Sequence, residues 1–141
     1  MQHMNAAQWR EFIMTGTRTG KLAVARADGR PHVTPVWFVL DGDDVVFTTH
    51  QSGVKARTLK RDPRVAMCVD DQVPLYSYVT IEGTVSLSDD TGAVRGWAVH
   101  IAGRYMSEDR AEEVGARNGA PGELLARLRI GKVIAHRDVA G

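Results

Sequence analysis

Residues 20–50 read GKLAVARADGRPHVTPVWFVLDGDDVVFTTH, three apolar runs separated by ADGR (27–30) and DGDD (41–44). An Asp-Gly pair between strand-like runs is a hairpin signal, because glycine supplies the positive φ that a tight turn needs. No helical stretch separates the three runs, so consecutive antiparallel strands are expected rather than a parallel, doubly wound sheet. In the second run His32, Thr34, Val36, Phe38 and Leu40 fall on one face, with Val33, Pro35, Trp37 and Val39 on the other. Both faces are largely apolar, as in a strand covered on one side by core and on the other by a partner or ligand. Pro35 has no N–H to give to a ladder, which places it at an edge, a bulge or a bend.

The flanking segments fit the same plan. Upstream, NAAQWREFIMTG (5–16) has the pattern of an amphipathic helix, with Asn5 as its cap, Gln8 at the third helical position and Gly16 past its end. Downstream, RVAMCV (64–69) reads as a strand and YSYVTIEGTVSLS (76–88) alternates with period two. Gly83 inside that run predicts a bulge or a close backbone approach. Residues 89–106 read as a helix, and SEDRAEEVGARNG (107–119) as a second, polar one whose Ser107, Glu108 and Asp109 suit a helix start. ELLARLRIGKVIAHR (123–137) reads as a last strand with a turn at Gly131. The expectation is a mainly β, α+β domain over residues 1–141: an antiparallel barrel of about six strands with flanking helices. Residues 1–4 read as a short remnant ahead of it.

Composition narrows the function. At 141 residues the chain fits one domain, and 43% apolar with 25% charged residues is the mix of a soluble globular protein. A formal net charge of +1 gives no strong field for nucleic acid or an anionic membrane, so neither is expected as a partner. No stretch approaches the roughly 20 apolar residues that span a bilayer, and no apolar leader opens the chain. A cytoplasmic location is the simple reading. Cys68 is the only cysteine, which rules out an intrachain disulfide and argues against a zinc site; within RVAMCV it reads as a buried thiol. Histidines 32, 50, 100 and 136 have no metal-ligand spacing, so no metal is expected.

Against this neutral background FTTHQSGVKARTLKRDPRV (47–65) stands out, with six Lys, Arg or His among nineteen residues. Thr48, Thr49 and Ser52 offer hydroxyls, Gly53 lets amides approach a ligand, and Lys55 and Arg57 open a helix that Asp62-Pro63 stops. Free amides and the positive dipole end of a helix suit a phosphate, and nearby cations add to it. A solvated basic helix is the competing reading, and Lys60 and Arg61 fit it. There is no G-x-x-x-x-G-K-[ST], no G-x-G-x-x-G and no G-x-S-x-G. Trp37 and Phe38 could flank a flat ring or fill the core.

TGKLAVARADGRPHVTPVWFVLDGDDVVFTT (19–49), SGVKARTLKRDPRVAMCV (52–69) and YVTIEGTVSL (78–87) together resemble the pyridoxamine 5'-phosphate oxidase-like, split β-barrel flavoprotein superfamily. With RYMSEDRAEEVGARNGAPGELLARLRIGKVIA (104–135) they look like its branch of small reductases that use the deazaflavin coenzyme F-420. The most specific element is K-x-R-x-L-[KR]-R-D-P-R after a strand. The resemblance implies an FMN-binding-protein-like split barrel that forms a homodimer with cofactor sites at the interface. It implies that Ser52, Lys55 and Arg57 hold the cofactor phosphate and that Thr48 and Thr49 lie along the ring or its tail. Thr34, Pro35, Val36 and Trp37 would approach the ring. Two departures stand beside it. IGKVIAHRDVAG (130–141) lacks the C-terminal Arg/His segment with which pyridoxamine phosphate oxidases bind substrate phosphate, and Gly53 stands where relatives often have a basic residue. Lys55 then acts with Arg57 or with a residue of the second copy.

The implied activity is hydride transfer from reduced F-420 to a conjugated small organic acceptor, with Tyr76, Tyr78 and His50 as candidate proton donors. The alternatives are an FMN-dependent oxidoreductase, whose doubly charged phosphate would favour more than one cation at the loop, and a non-catalytic cofactor-binding protein. F-420, with a phosphodiester and a polyglutamate tail, would favour a longer open basic track, which Lys60, Arg61 and Arg64 could supply unless they simply face solvent.

Overall fold

The computed structural model describes residues 1–141. Its elements run β1 (Gln2–His3), α1 (Ala6–Met14), β2 (Gly20–Ala25), β3 (Pro31–Val36), β4 (Val39–Asp41), β5 (Asp44–His50), α2 (Val54–Arg61), β6 (Arg64–Asp70), β7 (Tyr78–Ser88), α3 (Thr91–Met106), a 3-10 turn (Glu108–Arg110), α4 (Ala111–Asn118) and β8 (Glu123–Arg137). One antiparallel sheet has the order β3-β2-β6-β7-β8-β5-β4, with β1 paired to the end of β8.

The two ends of that order, β3 and β4, follow each other in the chain, and only Trp37 and Phe38 separate them. Val36 and Val39 are therefore at most about 11 Å apart, which a flat sheet of this width could not allow. The sheet curls into a barrel whose last seam is bridged by covalent chain and not by a ladder: a split barrel. The strand count is eight rather than about six, for two reasons. The run expected as one strand from Pro31 to Leu40 breaks at this seam into β3 and β4, and Gln2–His3 add a two-residue strand against Arg137 and His136. Pro35 sits where it was expected, on an edge, because β3 pairs only with β2.

Leu22, Phe38, Phe47, Met67, Val79, Ile81 and Leu128 fill the barrel, all fully buried. Helix α1 closes it with Trp9 and Ile13, and its entry is set by a complete capping box between Asn5 and Gln8. A second cluster lies outside: Val39, Val46 and Leu125 pack against Val94 and Ile101 of α3. Arg104 of α3 ties this layer to the seam by donating to the carbonyls of Phe38 (2.6 Å), Ile13 (2.8 Å) and Gly16 (3.0 Å).

The β7–β8 ladder slips between Glu82 and Gly83, where Gly83 faces Ile130 and Glu82 faces Lys132, leaving Gly131 between them. Gly131 is thus the extra residue of a bulge within one continuous strand, not a turn. A Cβ on Gly83 would stand 2.1 Å from the Arg129 carbonyl oxygen, which is the close approach its sequence position predicts. Cys68 is half-buried, not buried. Val65, Met67 and Val69 take the inward positions of β6, and the period of two turns Cys68 to the other face. No helix is long and apolar enough to cross a membrane.

Candidate functional site

Beside the seam lies a cleft of about 330 Å³ lined by residues from seven places in the chain. Pro35 and Val36 come from the end of β3, Trp37 from the seam, and Thr48, Thr49 and His50 from the end of β5. Lys55 comes from the first turn of α2, Ala98 and Ile101 from α3, Asn118 from the end of α4, and Glu123 from the start of β8.

One wall is flat. Trp37 stacks on Tyr105 with ring centroids 5.1 Å apart and planes 3° from parallel. Tyr105 is itself held, since its hydroxyl accepts from the Phe38 N–H (3.2 Å) and donates to the Arg18 carbonyl (2.8 Å). The indole is thereby fixed before any ligand arrives.

The other end is polar. Helix α2 begins at Gly53 with no side-chain cap, so its first amides receive no side-chain acceptor. Lys55 is half-buried there and its Nζ donates to Thr34 Oγ1 (3.1 Å). Burial lowers the Lys55 pKa, while Glu123 acts in the opposite sense. Burial likewise raises the Glu123 carboxyl, against the pull of His50 and Lys55. His50 lies directly opposite Glu123 across the β5–β8 ladder. Its Nδ1 accepts from the Ser52 N–H (3.1 Å) and lies 2.8 Å from Ser52 Oγ, so in the neutral ring Nε2 carries the proton. Gly122 makes room for this ring: with φ +96°, a Cβ there would stand 2.8 Å from His50 Nε2.

Of the nine residues singled out as a cofactor site, the cleft gathers Pro35, Val36, Trp37, Thr48, Thr49 and Lys55, with Thr34 attached through Lys55. Ser52 is bonded to His50 and is not on the cleft wall, and Arg57 is exposed two residues further along α2, on the other side of the helix. His50 alone of the three candidate proton donors lines the cleft. Tyr78 Oη is engaged with His136 Nδ1 (3.0 Å), and Tyr76 is exposed in the loop before β7. Glu123, Asn118, Ala98 and Ile101 were not foreseen, because they reach the cleft from about 50 residues further along the chain. No group of three or more His, Cys, Asp or Glu is placed to hold a metal ion.

A flat wall leading to a desolvated ammonium and an uncapped helix start suits a planar ring with an anionic tail. The family model described as pyridoxamine 5'-phosphate oxidase matches residues 6–136. The chain belongs to this family. Among solved structures, a conserved hypothetical protein from Mycobacterium tuberculosis superposes with a TM-score of 0.84 at 24% identity, covering 98% of this chain and 89% of that one. An F-420 reductase has 26% identity and a TM-score of 0.69 over 87% of this chain and 94% of its own. An FAD-binding protein from Mesorhizobium loti has 20% identity and a TM-score of 0.69 over 95% of each chain. The family's split barrel is therefore the frame that holds the cleft. His136 and Arg137, the basic residues near the C-terminus, are engaged elsewhere, by Tyr78 and His3 and by Gln2.

Proposed function

We propose that the protein is an oxidoreductase whose cleft binds the deazaflavin coenzyme F-420 and presents it to a conjugated, planar organic acceptor. The observation that carries this reading is a single desolvated cation on the cleft wall, Lys55, at an uncapped helix start in the same cleft that the fixed indole of Trp37 lines. The residues fit the group: the amides of α2 and the Lys55 ammonium suit its phosphodiester, and Thr48 and Thr49 offer hydroxyls along its tail. FMN is the second reading. Its doubly charged phosphate calls for more than one cation, and Arg57 is exposed outside the cleft, so F-420 is preferred.

When bound, a reduced deazaflavin supplies two electrons together as a hydride. The chain's own part is binding, orientation and exclusion of water. Trp37, backed by Tyr105, orients the ring plane; Ala98 and Ile101 of α3 add apolar lining beside it. His50 lines the cleft as a hydrogen-bonding group; with Nδ1 accepting from the Ser52 amide its neutral ring is not an acid, so solvent supplies the proton that the acceptor takes up. No protein nucleophile is required.

The working form in this reading is a homodimer. The cleft is at the small end of the range for ligand sites, and Val33 on the uncovered edge strand β3 is 59% exposed. A second copy against β3 would cover that edge and deepen the cleft; a monomeric mass by analytical ultracentrifugation would remove this part.

The test is a fluorescence titration with oxidised F-420 and, separately, FMN. Micromolar F-420 binding with FMN about tenfold weaker supports the reading. The reverse preference makes the protein an FMN oxidoreductase, and binding of neither overturns the cofactor site. Reduced F-420 that stays unoxidised with every acceptor in a quinone and enone panel would make the protein a carrier of the cofactor and not an enzyme.

A further inference from the structure

The polar end of the cleft holds a carboxylate where an anion is to bind. Glu123 lines the same cleft as Lys55, opposite His50, and takes part in none of the chain's contact ion pairs. Lys55 directs its Nζ to Thr34 Oγ1, which leaves the Glu123 charge facing the cleft without a contact cation. The charged side chains on the cleft wall are then one ammonium and one carboxylate, with His50 and Asn118 as polar neighbours. This position is built, because Gly122 at φ +96° admits the His50 ring beside it and the Gln51 amide is bonded to the Gly122 carbonyl (2.9 Å).

We infer that Glu123 is a specificity-determining residue that disfavours doubly charged phosphate monoesters at the Lys55 end of the cleft and so selects a singly charged phosphodiester. This rests on the flavin-type reading of the cleft and names the device by which that site tells two cofactors apart. Repulsion from a carboxylate at this position scales with the charge of the incoming group. A monoester dianion meets it twice over, a diester monoanion once, and a ligand with no phosphate not at all. Specificity here comes from a repulsive element as much as from the attractive one.

The test compares wild type, Glu123→Gln and Glu123→Ala by fluorescence titration at about pH 8, where a phosphate monoester is a dianion. The probes are riboflavin, F-420 and FMN. The expected gain on removing the carboxylate is graded: riboflavin unchanged within about twofold, F-420 tighter by about threefold, FMN by about tenfold, since doubling the charge squares the factor. The two variants remove the same charge with different packing, so agreement between them separates charge from shape. An equal change for all three probes, or no change for FMN in proteins that still bind F-420, overturns the role of Glu123 and leaves the cofactor site standing. Binding of none of the three by any of the proteins overturns both.

Discussion

The two ends of α2 carry similar residues and use them differently. At its start Lys55 is half-buried, bonded only to a threonine hydroxyl, with its charge disfavoured by burial. At its end Arg61 donates to the Ala25 carbonyl, and Arg64 just beyond it grips Asp62 through Nε (2.9 Å) and Nη2 (2.8 Å). Arg61 and Arg64 are thus already engaged by the fold, while Lys60 beside them is exposed. The cation at the start is held in readiness. A cluster that reads as one patch in the sequence is thus one ammonium on the cleft wall and two guanidiniums held by the fold.

Arg104 sharpens the contrast, since it is the guanidinium most completely used by the fold. Replacing it with alanine leaves the Phe38, Ile13 and Gly16 carbonyls without that donor and frees the seam between β3 and β4. We expect a loss of about 3 kcal/mol in unfolding free energy, measured by urea denaturation, with F-420 affinity falling only because the Trp37 wall loosens. Lys55→Ala should behave in the opposite way. Cofactor affinity falls by about 1.5–3 kcal/mol, read by titration, while the urea midpoint stays where it was. Lys55→Met, which keeps the stem and discards the buried charge, should not lower the midpoint and is expected to raise it slightly. If Lys55→Ala unfolds the protein, or leaves affinity intact, the two ends of α2 do not differ as argued.

The features read from local rules survived because local rules cause them. Asn5 and Gln8 cap α1 through bonds three residues apart, and the two Asp-Gly turns place β2, β3 and β5 next to their neighbours in sequence. Pro35 and Gly83 marked an edge and a bulge because a missing N–H and a missing side chain leave few other places for them. The break at Trp37–Phe38 was hidden, since both residues continue the alternation and the seam exists only once seven strands have curled. Glu123 was hidden for the same reason: its partner His50 is fixed by the β5–β8 register, and nothing within a few residues of either announces it. The half-attached signal was Gly122, a glycine directly before a strand, which the structure uses to admit the His50 ring.

Arg64→Ala is the smaller test of the same comparison. F-420 affinity should stay within about twofold of wild type, because the guanidinium serves Asp62 and not the cleft.

The finest discrimination lies in the Asp62 carboxyl. The side-chain hydrogen bond from Arg64, with the Arg64 amide in support, holds its pKa at about 2, below the ordinary value of 3.8. For a depressed carboxyl the stabilising contribution is complete above the ordinary value and is lost as pH falls toward the folded one, so it disappears between about pH 4 and pH 2. Carbon-detected NMR of the Asp62 carboxyl should therefore show a midpoint near 2 in the wild type and a return toward 3.8 in Arg64→Ala. A midpoint unmoved by the substitution would mean that Arg64 is not engaged at the end of α2. It would then be available, with Lys60, as a cationic track for the tail of the proposed cofactor.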